Sequence, residues 1–190
     1  MGKRSPLARY TPSILSTVAI VGIILLIALY VVTAIAYMRT CVPFVPTPST
    51  VCAAMVRAAG LRPGQTVIDV GAGDARMLIA AKRVEPTIRA IGFELSFPVW
   101  LLGRLRIFLS HQDIVLRCGD ARKQDLSSAD VIFLYLGPGM MRHLEEKFDR
   151  ELRPGTRVIS HAFRFPRRQP VREERVLLGR REKTLLVYEW

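Results

Sequence analysis

Hydrophobic positions follow two regimes along this chain. From Ile14 to Met38 they form one unbroken run with no charged side chain. After it, short apolar runs alternate with amphipathic stretches and turn residues. As a helix rising ~1.5 Å per residue, the long run reaches ~37 Å. That suffices for one tilted pass through a hydrocarbon core roughly 30 Å thick. Tyr10 and Tyr37 sit where interfacial anchors belong. A cleaved secretory signal, with Ala34-Ile35-Ala36 as its small-residue site, is the rival reading. A secretory apolar region is usually only about 7–15 residues long, so an uncleaved anchor is favoured. The pattern divides the chain into a basic tail (1–13), a transmembrane helix (14–38), a proline-rich connector (39–48) and a folded domain (49–190).

Pro43, Pro46 and Pro48 forbid a helix and predict an extended connector. Ser49 or Thr50 is the predicted cap of a helix through Ala59, ended by Gly60. Thr66–Val70 is a short apolar run bounded by turns, the pattern of a buried parallel strand. Gly71-Ala72-Gly73-Asp74 follows, then a helix over 75–81. Strands are predicted at 90–93, 114–117, 131–136 and 156–160, with helices at 97–109 and 140–152 between them. Strands at 171–178 and 184–189 close the chain as a hairpin around Gly179. Alternating strands and helices argue for an open, Rossmann-like α/β sheet of seven strands with helices on both faces.

Composition adds two constraints. Half the chain is hydrophobic, which excludes a wholly disordered protein. Cys41, Cys52 and Cys118 form no CxxC pair, so no metal site is expected and each is read as a small apolar residue. The net charge is +12, and all 16 acidic residues follow the apolar run. Lys3, Arg4 and Arg9 precede it. The stretch 164–183 is strongly basic, which favours anionic partners and suggests contact with anionic lipid.

A strand–Gly-x-Gly–helix unit brings backbone amides and a helix start to a ligand. Position 76 is Arg, not the third glycine of a dinucleotide fingerprint, and there is no phosphate-loop Lys, so NAD and ATP sites are disfavoured. Instead Asp69, Asp74, Glu94 and Asp120 converge at the carboxyl edge of the sheet. They suit a ligand bearing hydroxyls, an amino group and a positive centre. Glu94, ending the second strand, can accept both hydroxyl hydrogens of a ribose. Asp120 can accept from an exocyclic amino group.

These residues resemble the class I S-adenosylmethionine (SAM) methyltransferases. Asp69-Val70-Gly71-Ala72-Gly73-Asp74 is similar to their first motif, Glu94 to the ribose acid, and Gly119-Asp120-Ala121 to the adenine-side motif. A narrower resemblance rests on Pro43-Phe44-Val45-Pro46-Thr47-Pro48, Leu134-Tyr135-Leu136-Gly137-Pro138 and the segment Leu152 to Phe163. It is to the membrane-associated protein-lysine methyltransferases of the adenine nucleotide translocase and ATP synthase c-subunit type, with their prokaryotic relatives. Ala75 stands where that family usually has Gly, and Ala162 where it usually has Asp.

The resemblance implies SAM held by Asp69, Gly71, Gly73, Asp74, Glu94, Gly119, Asp120 and Ala121. Tyr135, Leu136, Gly137 and Pro138 would line the acceptor side and Thr47 would close over the pocket; Tyr135, Pro138 and His161 are the catalytic candidates, His161 as a general base. The implied partners are the membrane and a protein substrate. A nucleic-acid substrate is disfavoured, because Leu136-Gly137-Pro138-Gly139 occupies the place of the [DN]-P-P-[YF] motif of amino-methylating enzymes. Lipid or small-molecule methylation and a non-catalytic SAM-binding scaffold are the alternatives. Three basic residues before the span, against Arg39 and Arg57 after it, favour an internal N-terminus. SAM is intracellular, which favours a cytoplasmic catalytic domain, and the cofactor outweighs so small a margin of charge.

Overall fold

In a computed structural model of the chain, residues 14–40, 44–179 and 181–190 are described, with the side chains of 15, 33 and 36–40 left aside. Expectations for the tail 1–13, Tyr10, the Tyr37 side chain, Cys41 and Pro43 fall outside them.

The apolar run is helix α1 (Ile14–Thr40), two residues longer than the pattern implied, so Arg39 and Thr40 belong to the helix rather than to the connector. From Val18 to Ile35 its large apolar side chains are 41–74% exposed. They point in every direction around the axis, so α1 has no core of its own. Among the described residues no helix is long and apolar enough to cross a membrane; the unbroken described stretch of α1 side chains is 16–32.

The remaining elements are α2 (Ser49–Ala59), β1 (Thr66–Val70), α3 (Arg76–Val84), β2 (Arg89–Glu94), α4 (Phe97–Ser110), β3 (Ile114–Cys118), β4 (Val131–Leu134), α5 (Pro138–Glu151), β5 (Arg157–His161), β6 (Arg172–Leu178) and β7 (Arg181–Glu189). They build one seven-stranded sheet in the order β3-β2-β1-β4-β5-β7-β6. The first five strands are parallel, and β7 runs antiparallel to both β5 and β6. β1 and β4, buried on both faces, read as near-continuous apolar runs, as central parallel strands must.

Helices α2, α3 and α4 pack side by side on one face over a core that includes Met55, Leu78, Ile88 and Phe133. The other face carries α5 and a short 3-10 turn at Ala121–Lys123. There Phe148, Phe165, Tyr188 and Trp190 cluster, four of their pairs edge to face with ring centroids 4.9–5.9 Å apart.

Several boundaries differ from the sequence reading for local reasons. Neither Ser49 nor Thr50 caps α2. Pro48 is its N-cap, and the Pro48 carbonyl accepts from the Cys52 amide at 2.9 Å. β4 stops at Leu134 because Tyr135 and Leu136 turn out of the sheet. α5 starts early because Pro138 occupies the first helical position, where a missing N–H costs nothing. β7 starts at Arg181, which pairs with Leu178, so the hairpin is tighter than its charged sequence suggests. Cys52 is buried as expected, whereas Cys118 is exposed at the end of β3.

Two alanines adopt left-handed backbone, Ala75 (φ 63°) and Ala162 (φ 70°). A Cβ in this region costs about 1–2 kcal/mol. Ala75 is fully buried, so the packing that its methyl forfeits in Ala75→Gly offsets the relief of strain. Ala162 is exposed and loses nothing by the change. Ala162→Gly should therefore raise the unfolding free energy by about 0.5–1 kcal/mol in urea denaturation of the full chain.

Candidate active site

The site begins where β1 ends. Gly71 (φ 81°) and Gly73 (φ 56°) turn the chain sharply out of the strand. The Gly71 and Ala72 amides both donate to the Phe93 carbonyl, at 3.0 and 2.9 Å, which stitches the loop to β2. A Cβ on Gly73 would lie 2.6 Å from the Phe44 ring, and one on Gly71 2.8 Å from Leu136, so glycine lets both walls approach the loop.

Glu94 is fixed from both sides. The Gly73 amide donates to its Oε2 at 2.9 Å and the Ser96 amide to its Oε1 at 2.7 Å. Each oxygen keeps lone-pair capacity for a further donor, as binding a vicinal diol requires. Burial raises the Glu94 pKa, opposed by the amides of Ser96, Gly73 and Leu95. Asp69, deeper in the strand, is pushed up to about 8 by burial and then by the charges of Glu94 and Asp74. At neutral pH it is protonated and presents an O–H donor beside an acceptor.

Asp74 is engaged by two arginines. It is 2% exposed, and its Oδ2 lies 2.7 Å from Arg76 Nη2 and 3.1 Å from Arg106 Nη2. Burial pulls its pKa upward, but the hydrogen bond and charge of Arg76, with the charge of Arg106, outweigh it and hold the carboxyl below its ordinary value. Arg76 also donates from Nη1 to the Thr47 carbonyl at 3.0 Å. One guanidinium thus ties the glycine loop to the proline connector. The Cys52 thiol donates to the same carbonyl at 3.7 Å.

On the adenine side the Gly119 amide donates to the Glu94 carbonyl at 2.9 Å. Asp120 accepts two-pronged bonds from Arg122 Nε and Nη2, at 2.9 and 2.7 Å, and the Arg122 amide at 2.9 Å. The Arg122 hydrogen bonds outweigh partial burial and lower its pKa. Asp120 is an ionised acceptor held in orientation rather than a free one.

A cavity of about 570 Å³ joins these parts, within the range typical of small-molecule sites. All eight of the cofactor residues expected from the sequence line it, with Thr47, Tyr135 and Leu136. Gly137, Pro138 and His161 do not. Gly137 and Pro138 begin α5, where the Gly137 carbonyl accepts from Met140 and Met141 at 3.0 and 3.2 Å. His161 is 1% exposed and lies behind Tyr135, ring centroids 4.0 Å apart. Burial, with the charge of Lys183, lowers its pKa to about 4, and both ring nitrogens lack a hydrogen-bond partner among the described residues. The imidazole is neutral and separated from the cavity by the phenol ring.

Sequence reasoning misses six contributors. Arg76 reads in the sequence only as the absent third glycine, and Arg106 as one charge on an apolar helix. The available signal is a basic residue at each buried end of the Asp74 contact. Gly103 lets α4 cross the loop, since a Cβ there would stand 3.0 Å from the Gly73 carbonyl oxygen. Phe44, with Tyr30 and Ala34 of α1, completes the cavity wall, an arrangement that no local pattern encodes.

The residues fit SAM. The glycine cradle admits close approach, Glu94 offers oriented acceptors for a ribose, and Asp120 is a fixed acceptor at the far end of the cavity. Fold and site together define a class I SAM-dependent methyltransferase. The ANTKMT methyltransferase domain family matches residues 69–172, and the chain belongs to that family. A protein-lysine N-methyltransferase of Saccharolobus islandicus (strain REY15A) is 30% identical over 77% of this chain and 92% of its own. The ATP synthase c-subunit lysine N-methyltransferase of Mus musculus is 34% identical over 70% of this chain; the match spans about half of that protein, 53%. Among solved structures, an RNA methyltransferase from Salinibacter ruber with bound S-adenosyl-L-homocysteine has a TM-score of 0.70 and 31% identity, over 76% of this chain and 93% of that one.

Two outcomes follow from this geometry. Arg76→Met should weaken SAM binding about tenfold or more in calorimetric titration, because it frees the loop and the connector together and leaves the buried carboxylate with one partner fewer. The pH dependence of stability is the second. Asp69 binds its proton more tightly folded than unfolded, so its contribution is fully present below about pH 4 and is lost as pH rises through 8. His161 acts oppositely, stabilising above 6.5 and losing that contribution as pH falls through about 4. Between pH 6.5 and 8 only the downward slope of Asp69 remains of the two, at most about 1.4 kcal/mol per pH unit. Asp69→Asn should flatten it in denaturation curves across that window.

Proposed function

We propose that the protein is a membrane-anchored SAM-dependent methyltransferase that N-methylates a lysine of a membrane-associated protein. The observation that carries this reading is the composition of the cavity wall. Glycine-loop and carboxylate residues make one side, and Tyr30 and Ala34 of α1 contribute to the other. An acceptor arriving at this mouth passes an apolar helix whose side chains are otherwise exposed. The lysine-methylating relatives support the acceptor chemistry, and the exposed circumference of α1 supports its role as a single span.

SAM, held by the glycine loop, Glu94 and Asp120, would supply a methyl group on a sulfonium, so that an N–C bond could form at the acceptor amine as the C–S bond breaks and S-adenosyl-L-homocysteine leaves. The acceptor lysine must be neutral to react, and a desolvated site favours its neutral form. Tyr135 and Leu136 line the acceptor side, and the phenol orients the amine. His161 is a positioning residue that sets the Tyr135 ring by stacking against it. Glu94 and protonated Asp69 orient the cofactor, and Phe44 to Thr47 exclude water.

The RNA-methylating activity of the Salinibacter neighbour favours RNA as a second reading. Against it, Leu136-Gly137-Pro138-Gly139 follows β4 and lacks the side-chain acceptors used on a base amino group. A lipid or small-molecule acceptor is the further alternative.

Incubating membranes with purified enzyme and SAM carrying a labelled methyl group should yield label in protein and methyl-lysine after acid hydrolysis. Label confined to RNA or to the lipid extract would overturn the lysine assignment. Tyr135→Ala should lower kcat by about one to two orders of magnitude while SAM affinity changes little. For orientation, exposed Cys118 in a Cys41→Ser background should resist a membrane-impermeant maleimide in intact cells and react after permeabilisation. Labelling in intact cells would put the domain outside.

A further inference from the structure

The basic stretch 164–183, expected to meet anionic lipid, is largely occupied within the fold. Arg164 pairs with Glu173, Arg167 with Glu145 and Asp149, Arg168 with Asp149, Arg172 with Glu174 and Arg175 with Glu182. Much of its charge is thus compensated locally, and five of its arginines are engaged in ion pairs.

Uncompensated positive charge lies elsewhere. A second cavity, about 580 Å³, opens between α2, α3 and α4. Arg57, Arg76, Arg83 and Arg106 line it together with apolar side chains such as Ile79 and Leu109, and no acidic residue does. Arg76 and Arg106 share Asp74 beneath its floor. The Arg57 and Arg83 side chains have no acidic partner or hydrogen-bond acceptor among the described residues.

Beside this groove the outward side of α4 is apolar without interruption. Phe97, Leu101, Leu105, Phe108 and Leu109 are 55–73% exposed, and Leu102 is 44% exposed. Because Val99, Gly103 and Ile107 form the buried face, α4 is hydrophobic nearly all round, which a helix tolerates only when something apolar covers it. Arg104 and Arg106 flank this surface. An apolar helix face bordered by guanidinium groups is the arrangement of an interfacial helix on an anionic bilayer.

We infer that the groove between α2, α3 and α4 binds the phosphate headgroup of an acidic phospholipid, with the outer face of α4 lying at the acyl-chain boundary. Arg57 and Arg83 take the phosphate oxygens through forked N–H donors, a geometry that guanidinium matches better than ammonium. Leu109 and Val84, exposed at the groove rim, meet the first methylenes. Helix α1 packs against α4, so this surface continues the apolar surface of α1. Arg57 and Arg83 do not line the methyl-transfer cavity, although Arg76 borders both cavities, and the groove does not require α1 to span. A phosphodiester backbone such as RNA would fit the arginines but leave the α4 face uncovered.

The test is calorimetric titration of the full chain in a neutral detergent with dihexanoyl-phosphatidylglycerol, dihexanoyl-phosphatidylcholine, inorganic phosphate and a uridine oligonucleotide. Phosphatidylglycerol should bind saturably and at least tenfold more tightly than each of the others. Arg57→Gln with Arg83→Gln should cost about tenfold or more of that affinity. Leu105→Ser with Phe108→Ser should weaken the lipid but not phosphate. Equal binding of the two lipids, phosphate as tight as phosphatidylglycerol, a tighter oligonucleotide, or unchanged binding by the double arginine variant would each overturn the inference. The wild-type comparison needs no variant to fold. Alkaline carbonate extraction of membranes reads the α1 anchor separately, so loss of one result leaves the other interpretable.

Discussion

Two guanidinium groups on one buried carboxylate hold this active site together. Asp74 is buried where it leaves the glycine loop and would carry an unpaired buried charge without Arg76 and Arg106. Removing one partner of such a group typically costs about 3–5 kcal/mol, a large part of a domain's total stability. The arginines come from different helices, so the contact fixes where α3 starts and where α4 crosses above it. Gly103 makes the crossing possible by removing the side chain that would meet the loop carbonyl. The Glu94 bonds to Gly73 and Ser96 add a second clamp at the opposite edge. Between the two, the loop has little freedom left, which is the preorganisation a cofactor cradle needs.

The arrangement of strands was legible in the sequence because its signals are local. Thr66–Val70 is a short apolar run bounded by turns, the apolar run from Val131 to Leu136 overshoots its strand by two residues, and Glu94 and Asp120 fall where strands must end. The ligand-facing carboxylates follow directly, because every parallel strand delivers its carboxyl end to the same edge. The tertiary partners were not legible. Nothing near Arg76 in the chain announces that it reaches the Thr47 carbonyl, and nothing near Phe44 that its ring covers Gly73. His161 is the reverse case. A histidine ending a strand suggests a base, but it is buried against Tyr135 and is not among the residues that line the cavity.

Charge reads differently in three dimensions than along the chain. The densest basic stretch, 164–183, is also where Glu173, Glu174 and Glu182 are interleaved, and Asp149 and Glu145 of α5 reach it from outside. Arg57, Arg83 and Arg106 are scattered over 50 positions, yet three adjacent helices gather them at one groove. A long-range arrangement of this kind is invisible to any window of sequence, whereas the fold makes it a consequence of helix order.

The Arg76 tether treats its two clients unequally. Toward Asp74 it makes a forked, doubly charged contact in a buried setting. Toward the connector it offers a single bond to a neutral carbonyl, assisted only by a thiol at 3.7 Å. Under thermal agitation the weaker strap yields first. The Phe44–Thr47 segment is therefore held to the core less firmly than the cradle beneath it, so the cover and the floor of the cavity rest on separate contacts.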